Sequence, residues 1–232
     1  MASLKQISRR HVLQLSVGAL GSAAMGTITG PGAFAKAFNT AVCRLTPPQT
    51  EGPFYPVHDQ LDKDNDLTQI RGQMGKAEGQ VIYIMGEVKD LECKPIPDAL
   101  VEIWQACRTG KYNHPDDKDN PAPLDPNFQY WGQELTDAKG RYIFKTIIPG
   151  RYLAAPNWMR PPHIHYKVTA HGYTELTTQM YFVGDKDNAG DQILNAIPVA
   201  ERASVLVELE DPTPDLEPTS KLCQFDLTLR RG

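Results

Sequence analysis

Residues 80–106 read QVIYIMGEVKDLECKPIPDALVEIWQA. The first eleven residues are rich in β-branched and aromatic side chains, and the next nine carry two prolines and an aspartate, which is typical of a turn. In the last seven, Val101 and Ile103 lie on one face of a strand and Trp104 on the other, because successive strand side chains point to opposite faces. The stretch therefore predicts two strands joined by a turn.

The same pattern recurs along the rest of the chain. Further strand-like segments are GRYIFKTI (140–147), HIHYKVTAHG (163–172), LTTQMYFVG (176–184), ASVLVELE (203–210) and LCQFDLTL (222–229). Helical periodicity is nearly absent, with one short helix expected within residues 185–200. About seven short strands separated by turns predict an all-β fold, an antiparallel β-sandwich with long irregular loops. The Pro-rich residues 36–79 are predicted to form an extended N-terminal segment ahead of the sandwich domain, residues 80–232.

The first 35 residues have the pattern of a secretory signal peptide. They contain Lys5, Arg9 and Arg10 but no acid, then a mildly apolar stretch, then an A-x-A sequence at Ala33–Ala35. The arginine pair resembles a twin-arginine signal and predicts a periplasmic or secreted protein. The alternative is an amphipathic helix that stays in the mature chain.

Composition excludes several classes of function. Lys and Arg total 24 against 28 Asp and Glu, which gives a net charge of -4, and no basic block stands out, so nucleic-acid binding is not expected. The chain contains no run of about 20 apolar residues, so no membrane-spanning helix is expected in the mature form. The four cysteines allow two disulfides with three connectivities in an oxidising compartment. Cys93 and Cys107 could pair across a turn and strand, or could be buried free thiols.

A pair of histidines is the first candidate for chemistry. In a strand, His163 and His165 point to the same face, which suits them to bind one metal ion. Tyr112 and Tyr152 are the nearest candidate oxygen ligands, and a phenolate is a hard donor that favours Fe(III) over Zn²⁺ or Cu⁺. The alternative is that the histidines face solvent and that the tyrosines are half-buried strand aromatics.

Several motifs in order give the chain a family resemblance. They are PIPDALVEIWQA (95–106), GKYNH (110–114), APLDPNF (122–128), RPPHIHYKV (160–168) and TTQMYFVGD (177–185). Together they resemble the intradiol ring-cleaving dioxygenases, and most of all the iron-binding chain of the protocatechuate-cleaving members. The resemblance implies an enzyme that inserts O2 into a catechol-type aromatic diol of the protocatechuate, catechol or hydroxyquinol class. The product would be a cis,cis-muconate-type diacid.

The resemblance also implies roles for individual residues. One non-haem Fe(III) per chain would be held by four side chains, namely Tyr112, Tyr152, His163 and His165. Tyr152 would in addition act as a base toward the substrate, and Arg160 would stabilise the electron-rich substrate. Gln179 would help to position either Arg160 or the oxygenated intermediate. Because the ligand set is complete, the chain is expected to be catalytic, in an oligomer with copies of itself or with a related subunit.

Departures from the family pattern leave the substrate open. The stretch LAAPNWM (153–159) is shorter than in protocatechuate-type relatives, and Ala154 stands where an aromatic residue is expected. Of the other candidates, His114 and Asp125 are interpreted as structural, and His58 and His171 as surface histidines. Two rival functions remain: a transthyretin-like β-sandwich binding module without catalysis, and a zinc hydrolase built on the histidine pair.

Overall fold

The structure, a computed structural model, describes residues 43–60 and 62–232. The expected signal peptide, residues 1–35, lies outside the described residues. Before Val81 the described chain forms turns and one isolated bridge, between Asp66 and Lys145, but no strand or helix. Among the described residues, no helix is both long enough and apolar enough to cross a bilayer.

From Val81 onward the described chain is built almost entirely of strands. They are β1 (Val81–Asp90), β2 (Leu100–Trp104), β3 (Trp131–Leu135), β4 (Arg141–Ile147), β5 (Tyr152–Ala155), β6 (Trp158–Arg160), β7 (His163–Thr169), β8 (Leu176–Phe182), β9 (Leu206–Val207), β10 (Lys221–Gln224) and β11 (Leu227–Leu229). Beside three short 3-10 turns, the described residues contain one α-helix, α1, which spans Gln192–Ala196. The all-β prediction is confirmed, and the one expected helix falls within residues 185–200.

The strands form two main sheets and a separate hairpin. In the first sheet β1 pairs with β4 on one side and with β10 and β11 on the other. The second sheet has the order β3-β2-β7-β8-β9, and β5 pairs with β6 alone. The sheets are mixed, since β10 and β11 run parallel to β1 and β9 runs parallel to β8, whereas the remaining pairings are antiparallel.

Side-chain alternation separates a core face from a site face in the second sheet. In β7, Ile164, Tyr166 and Val168 belong to the main hydrophobic core, where they meet buried residues of β1 and β4. His163 and His165 alternate with them and therefore point away from the core. Burying the apolar face stabilises the sandwich, and it fixes which residues of β7 are left for chemistry.

The sequence segment 222–229 is one predicted strand, but it folds as two. β10 and β11 are separated at Phe225 and Asp226, where the Phe225 amide donates to the Met85 carbonyl and Asp226 accepts the Glu87 amide at 3.0 Å. A Cβ added to Gly86 would lie 1.9 Å from the Phe225 carbonyl oxygen, so only glycine permits this close approach. The strands β3, β5 and β6 were not predicted, because each is short and adjoins turn residues.

One disulfide ties the start of the described chain to the sandwich. Cys43 bonds to Cys93, and their Cα atoms are 5.2 Å apart. Cys107 and Cys223 are buried free thiols, so the pairing of Cys93 with Cys107 considered from the sequence is wrong. Cys107 instead lies within hydrogen-bond distance of the Thr109 hydroxyl, at 3.1 Å.

Reduction of this disulfide should lower the melting temperature of the protein. The bond closes a loop with a sequence separation of 50, for which chain entropy predicts a contribution of about 4 kcal/mol. We expect the variant C43S/C93S to melt about 10 °C lower than the wild type in thermal denaturation. Dithiothreitol should lower the wild-type melting temperature and leave that of the variant unchanged; equal sensitivity of both proteins would contradict the role of this bond.

Candidate active site

Two histidines of β7 form the floor of the candidate site. His163 and His165 are each only 2% exposed, and their ring centroids are 4.9 Å apart. Burial first, and then the charge of Arg160, holds the pKa of both imidazoles well below 6.5. Both rings are therefore neutral at neutral pH and keep a lone pair that can bind a cation.

Their surroundings set which nitrogen of each ring is available. Nδ1 of His163 lies 2.7 Å from the Pro161 carbonyl oxygen, to which it donates its proton, so Nε2 carries the lone pair. The Pro161–Pro162 pair that introduces β7 thus also orients the first histidine. His165 stacks on Trp104 with centroids 4.8 Å apart, and both of its nitrogens are buried with no hydrogen-bond partner among the described residues.

Tyr112 reaches the histidines from the loop that follows β2. Its hydroxyl oxygen lies 3.3 Å from Nε2 of His163, and its ring stacks on Phe54 with centroids 4.5 Å apart. The backbone amide of Tyr112 donates to the Asp117 carboxylate at 2.7 Å, which fixes this loop. Burial, followed by the nearby Tyr152, raises the pKa of Tyr112 well above 10.

Tyr152 and Arg160 come together through the register of the β5–β6 hairpin. The two residues are directly opposite each other in the ladder. The Tyr152 ring is perpendicular to that of Tyr112, with centroids 5.6 Å apart, and it is 5.8 Å from the ring of His163. Burial raises the pKa of Tyr152, and the positive charge of Arg160 opposes this increase.

Arg160 is 3% exposed and is held on two edges of its guanidinium. Nη2 donates to Oε1 of Gln179 at 2.6 Å, and Nε donates to Oδ2 of Asp191 at 2.6 Å. Gln179 faces His165 across the β7–β8 ladder, and its Nε2 donates to the Thr50 carbonyl at 2.9 Å. The six residues predicted from the sequence thus meet in one place, although they come from four strands and a loop.

Sequence reasoning missed four residues that complete this cluster. Asp191 had no signal beyond lying at the end of the matched region. Tyr181, on β8, donates its hydroxyl proton to Oε1 of Gln49 at 2.8 Å and lies 3.4 Å from Nη2 of Arg160. Gln49 and Thr50 lie in residues 43–56, which we call the N-terminal strap. Its extended, Pro-rich sequence gave no indication that it crosses the site.

A cavity of about 740 Å³ opens beside the cluster. Its wall includes Tyr152, Arg160 and His165, and also Ile193 from α1. The stretch 153–159, which departs from the family pattern, contributes Leu153, Ala154, Trp158 and Met159. The cavity is large enough for a single aromatic ring with substituents, and it adjoins the buried polar groups.

The remaining histidines and Asp125 have other surroundings. Nδ1 of His114 accepts the Asp116 amide at the start of a 3-10 turn, and the Asp125 carboxylate accepts the amides of Glu78 and Asn127. His58 and His171 are exposed. None of these four lies among the residues that surround His163 and His165.

The donor set fits a metal ion. Both nitrogens of the buried His165 lack partners among the described residues, and a cation bound at one of them would recover part of the free energy that this costs. No group of three or more His, Cys, Asp and Glu side chains in residues 43–60 and 62–232 is arranged to hold a metal. Tyr112 and Tyr152 lie beside the two histidines and carry oxygen atoms that could complete such a site, and two phenolates would favour a hard, highly charged ion.

Comparison with known proteins shows the family to which the chain is related. A family model described as dioxygenase matches residues 50–231. The chain is 40% identical over 181 residues to the protocatechuate 3,4-dioxygenase beta chain of Burkholderia cepacia, which covers 77% of this chain and 76% of that protein.

The chain belongs to the intradiol ring-cleaving dioxygenases. A second member of that family, catechol 1,2-dioxygenase 2 of Acinetobacter lwoffii, is 34% identical over 157 residues, which cover 60% of this chain and 52% of that protein. Among solved structures, the 3-chlorocatechol 1,2-dioxygenase of Rhodococcus opacus 1CP superposes with a TM-score of 0.62 and 26% identity. That match covers 80% of this chain and 73% of the other. The chain thus spans three quarters of its beta-chain relative and about half of the catechol enzyme.

Proposed function

We propose that this chain is a non-haem Fe(III) dioxygenase that inserts O2 between the two hydroxylated carbons of a catechol-type aromatic. The product would be a cis,cis-muconate-type diacid. The observation that carries this proposal is the convergence of two neutral histidines and two tyrosines beside a cavity of about 740 Å³. The family of the chain gives independent support.

The proposed metal ligands are Tyr112, Tyr152, His163 and His165. When bound there, Fe(III) would supply a Lewis acid that draws electron density from a coordinated catechol and makes its ring reactive toward O2. Two phenolates would offset most of the ion's charge, which lowers the cost of holding it in a buried site.

The protein's own groups have separate tasks in this proposal. Tyr152 lines the cavity, and as a phenolate ligand its Oη would accept a proton from a catechol hydroxyl and become the neutral phenol. Arg160 is permanently charged and cannot act as a base, so its task is to stabilise negative charge on the oxygen atoms of the ring. Phe54 of the N-terminal strap stacks on Tyr112 and Trp104 stacks on His165, and these rings shield the buried side of the site from water.

Oxygen uptake with a panel of catechols tests the proposal. Iron-loaded protein should consume one O2 per ring cleaved and release a diacid identified by mass spectrometry, and it should be coloured by tyrosinate-to-Fe(III) charge transfer. The cavity wall contains both a cation, Arg151, and carboxylates such as Asp119, so it could favour a substrate with or without a carboxylate group. The panel therefore includes protocatechuate, which has that group, and catechol and hydroxyquinol, which lack it. Iron-free protein is the control. Colourless protein that binds catechols without consuming O2 would instead indicate a binding module.

Export and assembly belong to the same proposal. We infer a periplasmic or secreted enzyme from the signal-like residues 1–35, and the Cys43–Cys93 disulfide supports an oxidising compartment. Assembly with copies of itself or with a related subunit is inferred from the similarity to a beta chain.

A further inference from the structure

Asp191 is a buried carboxylate without a task in the proposed reaction. Its exposed fraction is 0%, and its Oδ2 accepts the Nε proton of Arg160 at 2.6 Å. Burying an ion pair costs desolvation of both charges and adds little net stability compared with apolar packing. A buried pair beside a substrate cavity is therefore better explained by what it orients than by what it stabilises.

The carboxylate itself is fixed by the helix that it begins. Oδ1 of Asp191 accepts the Leu194 amide at 2.7 Å as the N-cap of α1. The Asp191 carbonyl also accepts Nδ2 of Asn195 at 2.7 Å. Both carboxylate oxygens thus have partners, one in the helix and one on Arg160, so the direction of Oδ2 is set by the backbone of α1.

The guanidinium is held in a plane by its two supports. Asp191 binds the Nε edge, and Gln179 binds Nη2 at 2.6 Å. A guanidinium held at only one of these points could rotate about its side-chain bonds, whereas two contacts on different nitrogens define its plane. Arg160 lies directly opposite Tyr152 in the β5–β6 ladder, and both residues line the cavity.

We propose that Asp191 is a positioning residue that fixes the plane of the Arg160 guanidinium toward the substrate cavity. The inference rests on the proposed function of Arg160. The competing explanation is that Asp191 only caps α1. The two differ in what happens when Arg160 is absent, because a positioning residue has nothing left to position, whereas a cap acts on the helix in either background.

A double-mutant cycle on iron-loaded protein separates the two explanations. Asp191→Asn keeps an oxygen for the Leu194 amide but turns an N–H group toward Nε of Arg160. We expect it to lower kcat per bound iron about 10- to 100-fold, as for a misplaced catalytic group. In the background of Arg160→Ala the same substitution should change kcat less than about two-fold.

Two further variants keep the test decisive. Asn195→Ala removes the hydrogen bond to the Asp191 carbonyl without touching Arg160, so it should lower the melting temperature and leave kcat per iron unchanged. Asp191→Glu retains the charge but displaces it, and this variant takes the place of Asp191→Asn in the double-mutant cycle if the asparagine variant does not fold. Anaerobic titration with catechol measures substrate affinity separately. We expect the affinity of the Asp191 variants to change less than their kcat.

The possible failures are distinguishable. If Asp191→Asn slows the wild type and Arg160→Ala by the same factor, or if Asn195→Ala slows the reaction equally, Asp191 is a structural cap and the inference is wrong. If Arg160→Ala is slow but Asp191→Asn is not, the inference alone fails. If Arg160→Ala reacts as fast as the wild type, the proposed role of Arg160 fails as well.

Discussion

His165→Ala should bind Fe(III) more than about 100-fold more weakly than the wild type, and catechol-dependent oxygen uptake should fall to background. Even partners that only orient a ligand cost about 10- to 100-fold in metal affinity when they are removed, and His165 is itself a proposed ligand. Its two nitrogens are buried and without hydrogen-bond partners among the described residues, which is the environment expected of a ligand rather than of a structural histidine.

The measurement is iron content per chain by mass spectrometry, together with the charge-transfer absorption. The matched control is His171→Ala, which removes an exposed histidine and should leave iron content, colour and turnover as in the wild type. A His165→Ala protein that is folded, coloured and loaded with one iron per chain would refute the proposed ligand set.

The histidine pair was predictable because the rule behind it is local. Alternation along a strand places His163 and His165 on one face, and the structure has them there, opposite the core residues Ile164 and Tyr166. Strand alternation in residues 100–106 likewise assigned Trp104 to the face opposite Val101 and Ile103. Where the face that a side chain occupies follows from alternation within one strand, the sequence is sufficient to predict it.

The tyrosines required more than a local rule. Tyr112 lies in a loop and Tyr152 in a four-residue strand, and nothing in either segment specifies that both reach the same histidines. Their meeting depends on the β5–β6 register and on the Asp117 contact with the Tyr112 amide. The sequence made both tyrosines candidate ligands but equally allowed half-buried strand aromatics, and the family resemblance favoured the ligands.

Contacts between remote segments were not predictable at all. Gln49 and Tyr181 are 132 positions apart, and Asp191 follows Arg160 by 31 positions, with β7 and β8 between them in the chain. The disulfide was unpredictable for the same reason. Cys43 precedes the sandwich, and its bond to Cys93 depends on the path that the N-terminal strap takes in the folded protein. Spacing in the sequence carries no information on such contacts.

Arg160→Ala should lower kcat per bound iron by about 10²–10³, the usual loss when a preorganised charge that stabilises a developing anion is removed. Iron content should stay at one per chain, since Arg160 is not among the proposed ligands. Arg160→Lys should be intermediate, because it keeps the charge but cannot make the paired contacts with Asp191 and Gln179.

The stability of the same variant gives a second, independent measurement. Without Arg160, Asp191 is left as a buried, unpaired carboxylate, which costs about 3–5 kcal/mol. The melting temperature should therefore fall, and adding Asp191→Asn should raise it again without restoring turnover. Arg141→Ala, which breaks an arginine–aspartate pair with Asp137 outside the cavity, is the control for turnover. If Arg160→Ala lost stability but kept its kcat, the guanidinium would be a structural partner of Asp191 and not part of the chemistry.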